Sequence, residues 1–114
     1  MQNELRLKMV ARADLPTEVK RGAVVPVRIA ILHAMETGYR FDVNGRGIPK
    51  NVINTLTCRY LGEIIFRAEM GSGMSANPSV QFYFVAERTG DLEFDWIDDA
   101  GERGSHRAKV QVVS

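Results

Sequence analysis

Cysteine is nearly absent from this sequence, since the 114 residues contain only Cys58. A lone thiol excludes an internal disulfide and a thiolate-rich zinc site. Long apolar runs are also missing: the longest, residues 23–34, is interrupted by Pro26, Arg28 and His33. A membrane-spanning helix needs roughly 20 apolar residues in a row. The sequence therefore predicts neither a disulfide-stapled domain nor a helical membrane protein.

The sequence also lacks an excess of charge of either sign. Fifteen basic side chains offset 14 acidic ones and leave a formal charge of +1, and both signs are interspersed. No basic patch for nucleic acid or an anionic membrane is expected. An apolar fraction of 45% beside 25% charged residues is typical of a soluble globule. This length predicts one domain, residues 1–114. Its N-terminus alternates polar and apolar residues, a pattern that by itself indicates no secretory signal and hence the cytoplasm.

Apolar residues recur with period two, which predicts β-strands rather than amphipathic helices. Six or seven strands are expected, and turn signals such as Leu61-Gly62 separate them. About seven antiparallel strands in this length predict an all-β, immunoglobulin-like β-sandwich. The residues expected to face the core are Leu5, Leu7 and Met9; Val25, Val27, Ile29, Ile31 and His33; Ile64, Phe66 and Ala68; Val80, Phe82 and Phe84; Leu92, Phe94 and Trp96; Val110 and Val112.

Two short signals predict local geometry within these strands. Pro26 lies inside a strand but has no N–H group, so it is expected at an edge or a bulge. The sequence Tyr60-Leu61-Gly62-Glu63 predicts a tight hairpin turn, whose arms are residues 53–60 and 63–69.

Two stretches, residues 35–51 and 70–78, break the alternation and are rich in glycine, asparagine and proline. They are predicted to be long loops, which are uncommon unless they are functional or packed by their own side chains. Both carry apolar residues where solvated loops are normally polar. One interpretation is packing beneath the ends of the sandwich, and the other is a contact surface for another protein. The apolar residues are Met35, Tyr39, Phe41, Ile48, Met70 and Met74.

Catalytic motifs are scarce. No nucleophile elbow is present, and Gly45-Arg46-Gly47 lacks the third glycine and the following helix of a phosphate-binding loop. Asp95, Asp98 and Asp99 lie where a strand enters a tight turn, so we expect them to cap and solvate that turn rather than bind a cation.

The two histidines and the cysteine do not have the spacing of a blue-copper site, so no metal or other cofactor is expected. We predict that His33 is an imidazole at the core edge, bonded to a loop carbonyl. Cys58 is predicted to be a small buried hydrophobe and His106 an exposed strand residue.

The loop residues nevertheless carry a resemblance to a known family. The run from His33 to Asp42, HAMETGYRFD, followed by Gly47-Ile48-Pro49 and Ile53-Asn54, is similar to the signature of the SoxZ family. SoxZ is the Z subunit of the SoxYZ sulfur-compound carrier. The resemblance spans residues 22–113. Further matches follow in order: Thr57-Cys58, Tyr60-Leu61-Gly62, Ser75-Ala76-Asn77-Pro78, Phe94-Asp95-Trp96 and Asp98-Asp99-Ala100-Gly101.

The resemblance implies a non-catalytic, immunoglobulin-like subunit that forms a heterodimer with a SoxY-type protein and docks transiently with other Sox enzymes. A cysteine on the partner's C-terminal arm would carry the thiosulfate-derived sulfur. The complex would work in the periplasm, with export of the Z chain depending on its signal-bearing partner. The six apolar loop residues named above are the candidates for the interface.

Two other functions stay open at this point. The chain could be a SoxYZ-like carrier module for a different periplasmic oxidation, or a small metal-binding redox domain on the same sandwich. A disulfide between Cys58 and the partner is also open. Since Cys58 lies in a predicted strand, we expect it to be packed and to carry no sulfur itself.

Overall fold

The computed structural model describes residues 11–71 and 73–114. None of the described residues forms a helix that could cross a membrane. The strand expected over residues 5–9 lies outside the described residues. Eight strands are described: β1 (Ala11–Asp14), β2 (Glu18–Lys20), β3 (Val24–Ile31), β4 (Ile53–Tyr60), β5 (Glu63–Glu69), β6 (Ser79–Val85), β7 (Gly90–Asp98) and β8 (Arg103–Val113).

The strands form two sheets that face each other. One has the order β1-β3-β6 and is antiparallel; the other has the order β2-β8-β7-β4-β5 and is antiparallel except that β2 pairs parallel with β8. The predicted all-β, immunoglobulin-like β-sandwich is confirmed. Strands β1 and β2 are the described strands that the sequence pattern does not reveal, because four and three residues are too few to display a clear alternation.

The core lies between the sheets and follows the predicted alternation in β3, β6 and β7. Its members are almost entirely removed from solvent, and burial of each large apolar side chain stabilises the fold by roughly 1.5–3 kcal/mol. Aromatic rings join the sheets: Phe66 stacks on Phe82 with centroids 4.3 Å apart, and Tyr60 meets Phe84 edge-on at 4.9 Å. The most buried core residues include Val25, Val27, Ile29, Leu56, Leu92, Phe94 and Val110.

The prediction for Ile64 is wrong. Its side chain is 52% exposed, and Ile65 packs against the core instead. The cause is a β-bulge: Cys58 pairs with Phe66 while the adjacent Arg59 pairs with Ile64, which leaves Ile65 as an extra residue. Because an extra residue reverses the alternation of faces, Ile64 points to solvent while Phe66 still points inward.

Pro26 lies in the middle strand of its sheet, yet it has a paired neighbour on one side only. Strand β1 covers β3 only from Arg28 to Ile31, so Pro26 pairs with Tyr83 of β6 alone. Because no β1 residue lies beside Pro26, its lack of an N–H group removes no hydrogen bond to β1. Pro26 is therefore at a local edge of the sheet, as predicted.

The predicted hairpin between β4 and β5 is present. Leu61 and Gly62 both have positive φ angles, 54° and 84°. This conformation matches the right-handed twist of the two flanking strands.

The hydroxyl group of Tyr60 hydrogen-bonds the backbone of the connection between β6 and β7, which joins the two sheets. Tyr60 is buried at the end of β4, and its oxygen accepts the backbone N–H groups of Glu87 and Arg88, each at 3.0 Å. The hydroxyl also donates to the Arg88 carbonyl. These backbone groups belong to the connection from β6 to β7, which passes from one sheet to the other and has no strand partner there.

Replacing Tyr60 with phenylalanine tests this link. We expect Tyr60→Phe to lower the free energy of unfolding by roughly 1–3 kcal/mol, because two backbone donors lose their acceptor. The matched control is Tyr83→Phe, whose hydroxyl lies on an exposed ring and whose loss should cost less than about 0.5 kcal/mol. Denaturant unfolding of both variants measures the difference, and equal losses would contradict the role of the Tyr60 hydroxyl.

Candidate partner-binding surface

The segment that connects β3 to β4 is a folded hairpin-like loop, and we refer to residues 36–51 as the β3–β4 loop. At its base, Glu36 and Asn51 exchange two backbone hydrogen bonds of 2.9 Å. Farther out, Phe41 and Gly47 form a second antiparallel bridge. Two isolated bridges leave most of the loop outside any strand.

The tip of this loop is held by a single acidic side chain. The carboxylate of Asp42 accepts the backbone N–H groups of Asn44 and Arg46 at 2.8 and 3.0 Å, and its carbonyl accepts that of Gly45 at 3.0 Å. Gly45 has φ +81°, a conformation that favours glycine. Such an Asx-type turn fixes the path of the backbone at the tip.

The fixed tip holds three apolar side chains in solvent. Tyr39, Phe41 and Val43 are 83%, 70% and 100% exposed. Arg40, between Tyr39 and Phe41 in the sequence, donates two hydrogen bonds of 3.0 and 2.8 Å to Glu36 at the base of the loop, and these bonds lower the pKa of the glutamate below its ordinary value. Three exposed apolar groups within five residues form a cluster rather than the scattered exposure of an ordinary surface.

The root of the loop is fixed by Asp98, a carboxylate that is only 5% exposed. One oxygen accepts from His33 Nε2 at 3.0 Å and from the side-chain amide of Asn51 at 3.3 Å, and the other accepts the Glu102 N–H at 2.9 Å. Burial raises the pKa of Asp98, but the hydrogen bonds outweigh burial and hold the pKa below its ordinary value. The residues brought together come from the ends of β3, β4, β7 and β8.

His33 connects Asp98 to the backbone at Met35, just before the loop begins. Its Nδ1 accepts the Met35 N–H at 2.9 Å, so in the neutral ring the proton lies on Nε2 and is donated to Asp98. Met35 has φ +53°, and its sulfur accepts the Ile53 N–H at 3.3 Å. The expected position of His33 at the core edge is confirmed. The prediction that its ring bonds to a loop carbonyl is wrong, since the ring nitrogens bond to the Asp98 carboxylate and the Met35 N–H.

The second predicted loop, residues 70–78, lies beside the first at the same end of the sandwich. The backbone N–H of His33 donates to the Asn77 side chain at 3.0 Å, and the Asn77 N–H donates to the His33 carbonyl at 2.7 Å. At the other side, the Met70 N–H donates to the Asn54 carbonyl at 2.9 Å. His33 therefore ties both loops to the sandwich.

The six candidate interface residues separate into two groups. The residues on the β3–β4 loop are exposed or half-buried, whereas the methionines are buried or packed against the core. Packing beneath the end of the sandwich thus describes the three methionines, whereas a contact with another protein stays a prediction for the three residues on the loop. Sequence reasoning missed Val43, although apolar residues at every second position from Tyr39 could have shown it. The first group is Tyr39, Phe41 and Ile48; the second is Met35, Met70 and Met74.

The three aspartates near the end of β7 do not share a site. Besides Asp98, Asp99 accepts the Val52 N–H and the Asn54 amide, both at 3.2 Å, and Asp95 pairs with Arg59 at 2.9 Å. The hydrogen bond from Asn54, followed by that from Val52, lowers the pKa of Asp99. Within residues 11–71 and 73–114, no three His, Cys, Asp or Glu side chains are grouped to hold a metal ion.

Cys58 and His106 both lie on inward faces of the larger sheet. Cys58 is fully buried, and burial raises the pKa of its thiol to about 12, with Asp95 and Glu93 adding to the effect. The prediction of a buried, strand-bound cysteine is confirmed. His106 is half-buried rather than exposed, because it pairs directly opposite Phe94 and its ring lies 6.2 Å from that ring.

Comparison with known proteins identifies the family. The model of the family described as "Sulphur oxidation protein SoxZ" matches residues 12–109. The chain belongs to the SoxZ family. A comparison with curated proteins found no match. The SoxZ family assignment agrees with the resemblance carried by the loop residues, and it links the chain to sulfur oxidation.

Solved structures share the fold of this SoxZ-family chain. The superoxide reductase (neelaredoxin) from Ignicoccus hospitalis has a TM-score of 0.67 at 18% identity, covering 91% of this chain and 80% of that one. The sulfur carrier protein SoxY from Chlorobium limicola f thiosulfatophilum has a TM-score of 0.63 at 14% identity, covering 90% and 74%. The superoxide reductase from Archaeoglobus fulgidus has a TM-score of 0.61 at 19% identity, covering 91% and 90%. At these identities the likeness concerns the fold alone.

Acid unfolding tests the anchor at Asp98. At pH 7 we expect Asp98→Asn to lower the free energy of unfolding by roughly 2–3 kcal/mol, because hydrogen bonds to a charged acceptor are lost. The folded pKa of Asp98 lies below the unfolded value of about 3.9, so the unfolded chain binds this proton first. The stabilisation is therefore present above the unfolded pKa and is lost as the pH falls through the folded pKa.

Denaturant unfolding between neutral and acidic pH measures both effects. The difference between wild type and Asp98→Asn should shrink as the pH falls. Asp95→Asn is the matched control: it removes one partner of an exposed ion pair and should cost less than about 1 kcal/mol. A difference at Asp98 that is the same at neutral and acidic pH would contradict the anchor.

Proposed function

We propose that this chain is the non-catalytic Z subunit of a SoxYZ sulfur carrier and that it binds a Y-type subunit through the tip of the β3–β4 loop. Membership of the SoxZ family supports the pathway. The observation that carries the docking role is the exposure of Tyr39, Phe41 and Val43 on a loop that is held by its own hydrogen bonds.

Preorganisation makes this loop suitable for binding. Asp42 and Gly45 already fix the tip, so little further conformational entropy is lost when a partner binds. Aromatic side chains are enriched at the centres of interfaces, where a few of them supply most of the affinity. A tyrosine and a phenylalanine on a fixed tip therefore support a stable contact, which typically buries roughly 1,200–2,000 Å² in total.

The proposal assigns sulfur chemistry to the partner. A carrier thiol has to be accessible and partly ionised, because the thiolate is the attacking form. Cys58 is the only thiol of the chain, it is fully buried, and its pKa is raised to about 12. In this role the chain is a scaffold that positions the Y-type subunit for the other enzymes of the pathway, with which it makes transient contacts.

The proposal also places the complex in the periplasm, with export that depends on a signal carried by the partner. Cell fractionation tests the compartment. Removing the partner's signal should leave this chain in the cytoplasm, and periplasmic chain in a cell without any partner would contradict the dependence.

Substitutions at the tip test the docking role. We expect Tyr39→Ala and Phe41→Ala each to weaken affinity for a Y-type subunit roughly tenfold or more, mainly through faster dissociation. Ile64→Ala is the matched control, because it truncates an apolar side chain that is also exposed but lies on β5. Titration calorimetry measures the affinities. Unchanged binding by both tip variants would place the interface elsewhere.

Replacing the cysteine tests the division of chemistry between the subunits. We expect Cys58→Ser to keep thiosulfate-dependent turnover in a reconstituted pathway. The free energy of unfolding should fall by roughly 1–2 kcal/mol, because a hydroxyl group replaces a thiol in an apolar site. Loss of turnover in a variant that still folds and still binds its partner would make Cys58 a participant.

A further inference from the structure

Among the strands that the structure describes, β6 is an edge strand that lacks the usual protection against pairing. From Met70 to Ala86 the sequence contains no Asp, Glu, Lys, Arg or His, although a quarter of the chain is charged. Sheet edges are normally protected by charged residues, proline, bulges or shortness. The other described edge strands have these features: β1 and β2 are four and three residues long and carry charges, and β5 combines three charged residues with the bulge at Ile65.

Half of the backbone groups of β6 point away from its neighbour β3. The Ile31 N–H donates to the Pro78 carbonyl at 3.0 Å, and the Ala86 N–H donates to the Ala23 carbonyl at 2.9 Å. Bonding alternates along an antiparallel ladder, so the even-numbered residues of β6 bond to β3. No described strand lies on the other side of β6. The residues whose N–H and C=O groups face that side are Ser79, Gln81, Tyr83 and Val85.

A second copy of β6 fits this edge. In an antiparallel pair centred on Phe82, Ser79 stands opposite Val85 of the second copy, and Gln81 stands opposite Tyr83. These four residues are the ones whose backbone groups are directed outward, so each opposed pair can exchange two hydrogen bonds and the whole junction about eight. All the opposed side chains are neutral.

Charge shows why this edge, rather than β5, suits a second copy. The same symmetric pairing of β5 about Phe66 would place Glu63 opposite Glu69 of the second copy, and it would do so twice. Like charges directly opposite each other destabilise a strand pair. The neutral β6 carries no such penalty.

The outer face around β6 adds apolar surface to the edge. Val24, Tyr83 and Val85 are exposed there, and Val24 pairs with Val85 across the β3–β6 ladder. The outer face of the larger sheet is different, since it carries ion pairs such as Arg59 with Asp95. Joining two copies would bring Tyr83 and Val85 against Gln81 and Ser79 of the second copy, while Val24, one strand away, stays in solvent.

We propose that β6 is a self-pairing edge through which two copies of this chain join, in antiparallel register centred on Phe82. The product is a continuous six-stranded sheet of order β1-β3-β6-β6-β3-β1. The contact is isologous, as in most two-fold dimers. Because the two strands run in opposite directions, the β3–β4 loops lie at opposite ends of the sheet. The dimer does not require a Y-type partner.

Sedimentation equilibrium over a concentration series tests the proposal. The wild-type chain alone should reach about twice its mass of 12.8 kDa. The combined variant Gln81→Lys with Tyr83→Lys places two ammonium groups opposite each other twice, so its dimer dissociation constant should rise at least roughly tenfold. Val24→Lys adds one positive charge to the same outer face, one strand away from the edge, and it should stay dimeric.

A second measurement tests the register without adding charge. In a Cys58→Ser background, a mixture of Gln81→Cys chains and Tyr83→Cys chains should form an interchain disulfide faster than either variant alone, because these positions face each other. Fluorescence of Trp96, the only tryptophan, reports whether each variant is folded. If the lysine variant does not fold, the disulfide rates decide.

Two results would overturn the proposal. One is a monomeric wild-type chain throughout the concentration series, and the other is a dimer that survives both lysine substitutions. If the wild type is monomeric and the lysine variant also loses binding to the Y-type subunit, the edge belongs to that partner instead. Since the tip variants Tyr39→Ala and Phe41→Ala should leave the dimer intact, failure of the dimer and failure of the docking loop are distinguishable.

Discussion

The buried carboxylate of Asp98 is the constraint on which one end of this sandwich depends. A buried charge costs several kcal/mol unless donors surround it. The donors are His33 just after β3, Asn51 just before β4, and the N–H of Glu102 just before β8. The hydrogen bonds to this one carboxylate at the end of β7 therefore bring four strand ends together. It also determines where the β3–β4 loop leaves the sandwich.

From that root, the loop is built outward by short-range interactions. The Glu36–Asn51 bridge closes its base, and Asp42 shapes its tip. Polar groups are thus used internally to hold the backbone, while Tyr39 and Phe41 stay in solvent. This arrangement is unfavourable for a surface that always faces water, and it is favourable for one that a partner covers. The same reasoning extends to β6, whose residues are neutral and whose outer backbone groups have no strand partner among the described residues.

Most of the strands could be predicted because a buried face imposes period two on a sequence, as in Val25–Ile31 and Leu92–Trp96. The exposure of Ile64 could not be predicted, because it results from a bulge in the pairing of β4 with β5. The adjacent Ile65 is equally apolar, so the sequence does not show which of the two faces the core. The partner of His33 is 65 positions away along the chain, and periodicity carries no information about such pairs. Exposure of the loop tip depends on the Asx turn at Asp42, so sequence identified the apolar loop residues without separating Tyr39 from the buried Met35.

Hydrogen–deuterium exchange of the chain, with and without a Y-type carrier subunit, tests the docking role of the β3–β4 loop most directly. Binding through the tip predicts that the backbone amides of residues 38–48 exchange more slowly in the complex, while those of β7 and β8 keep their rates. Slower exchange confined to other surfaces, with the loop unchanged in a complex of full occupancy, would contradict docking through this loop.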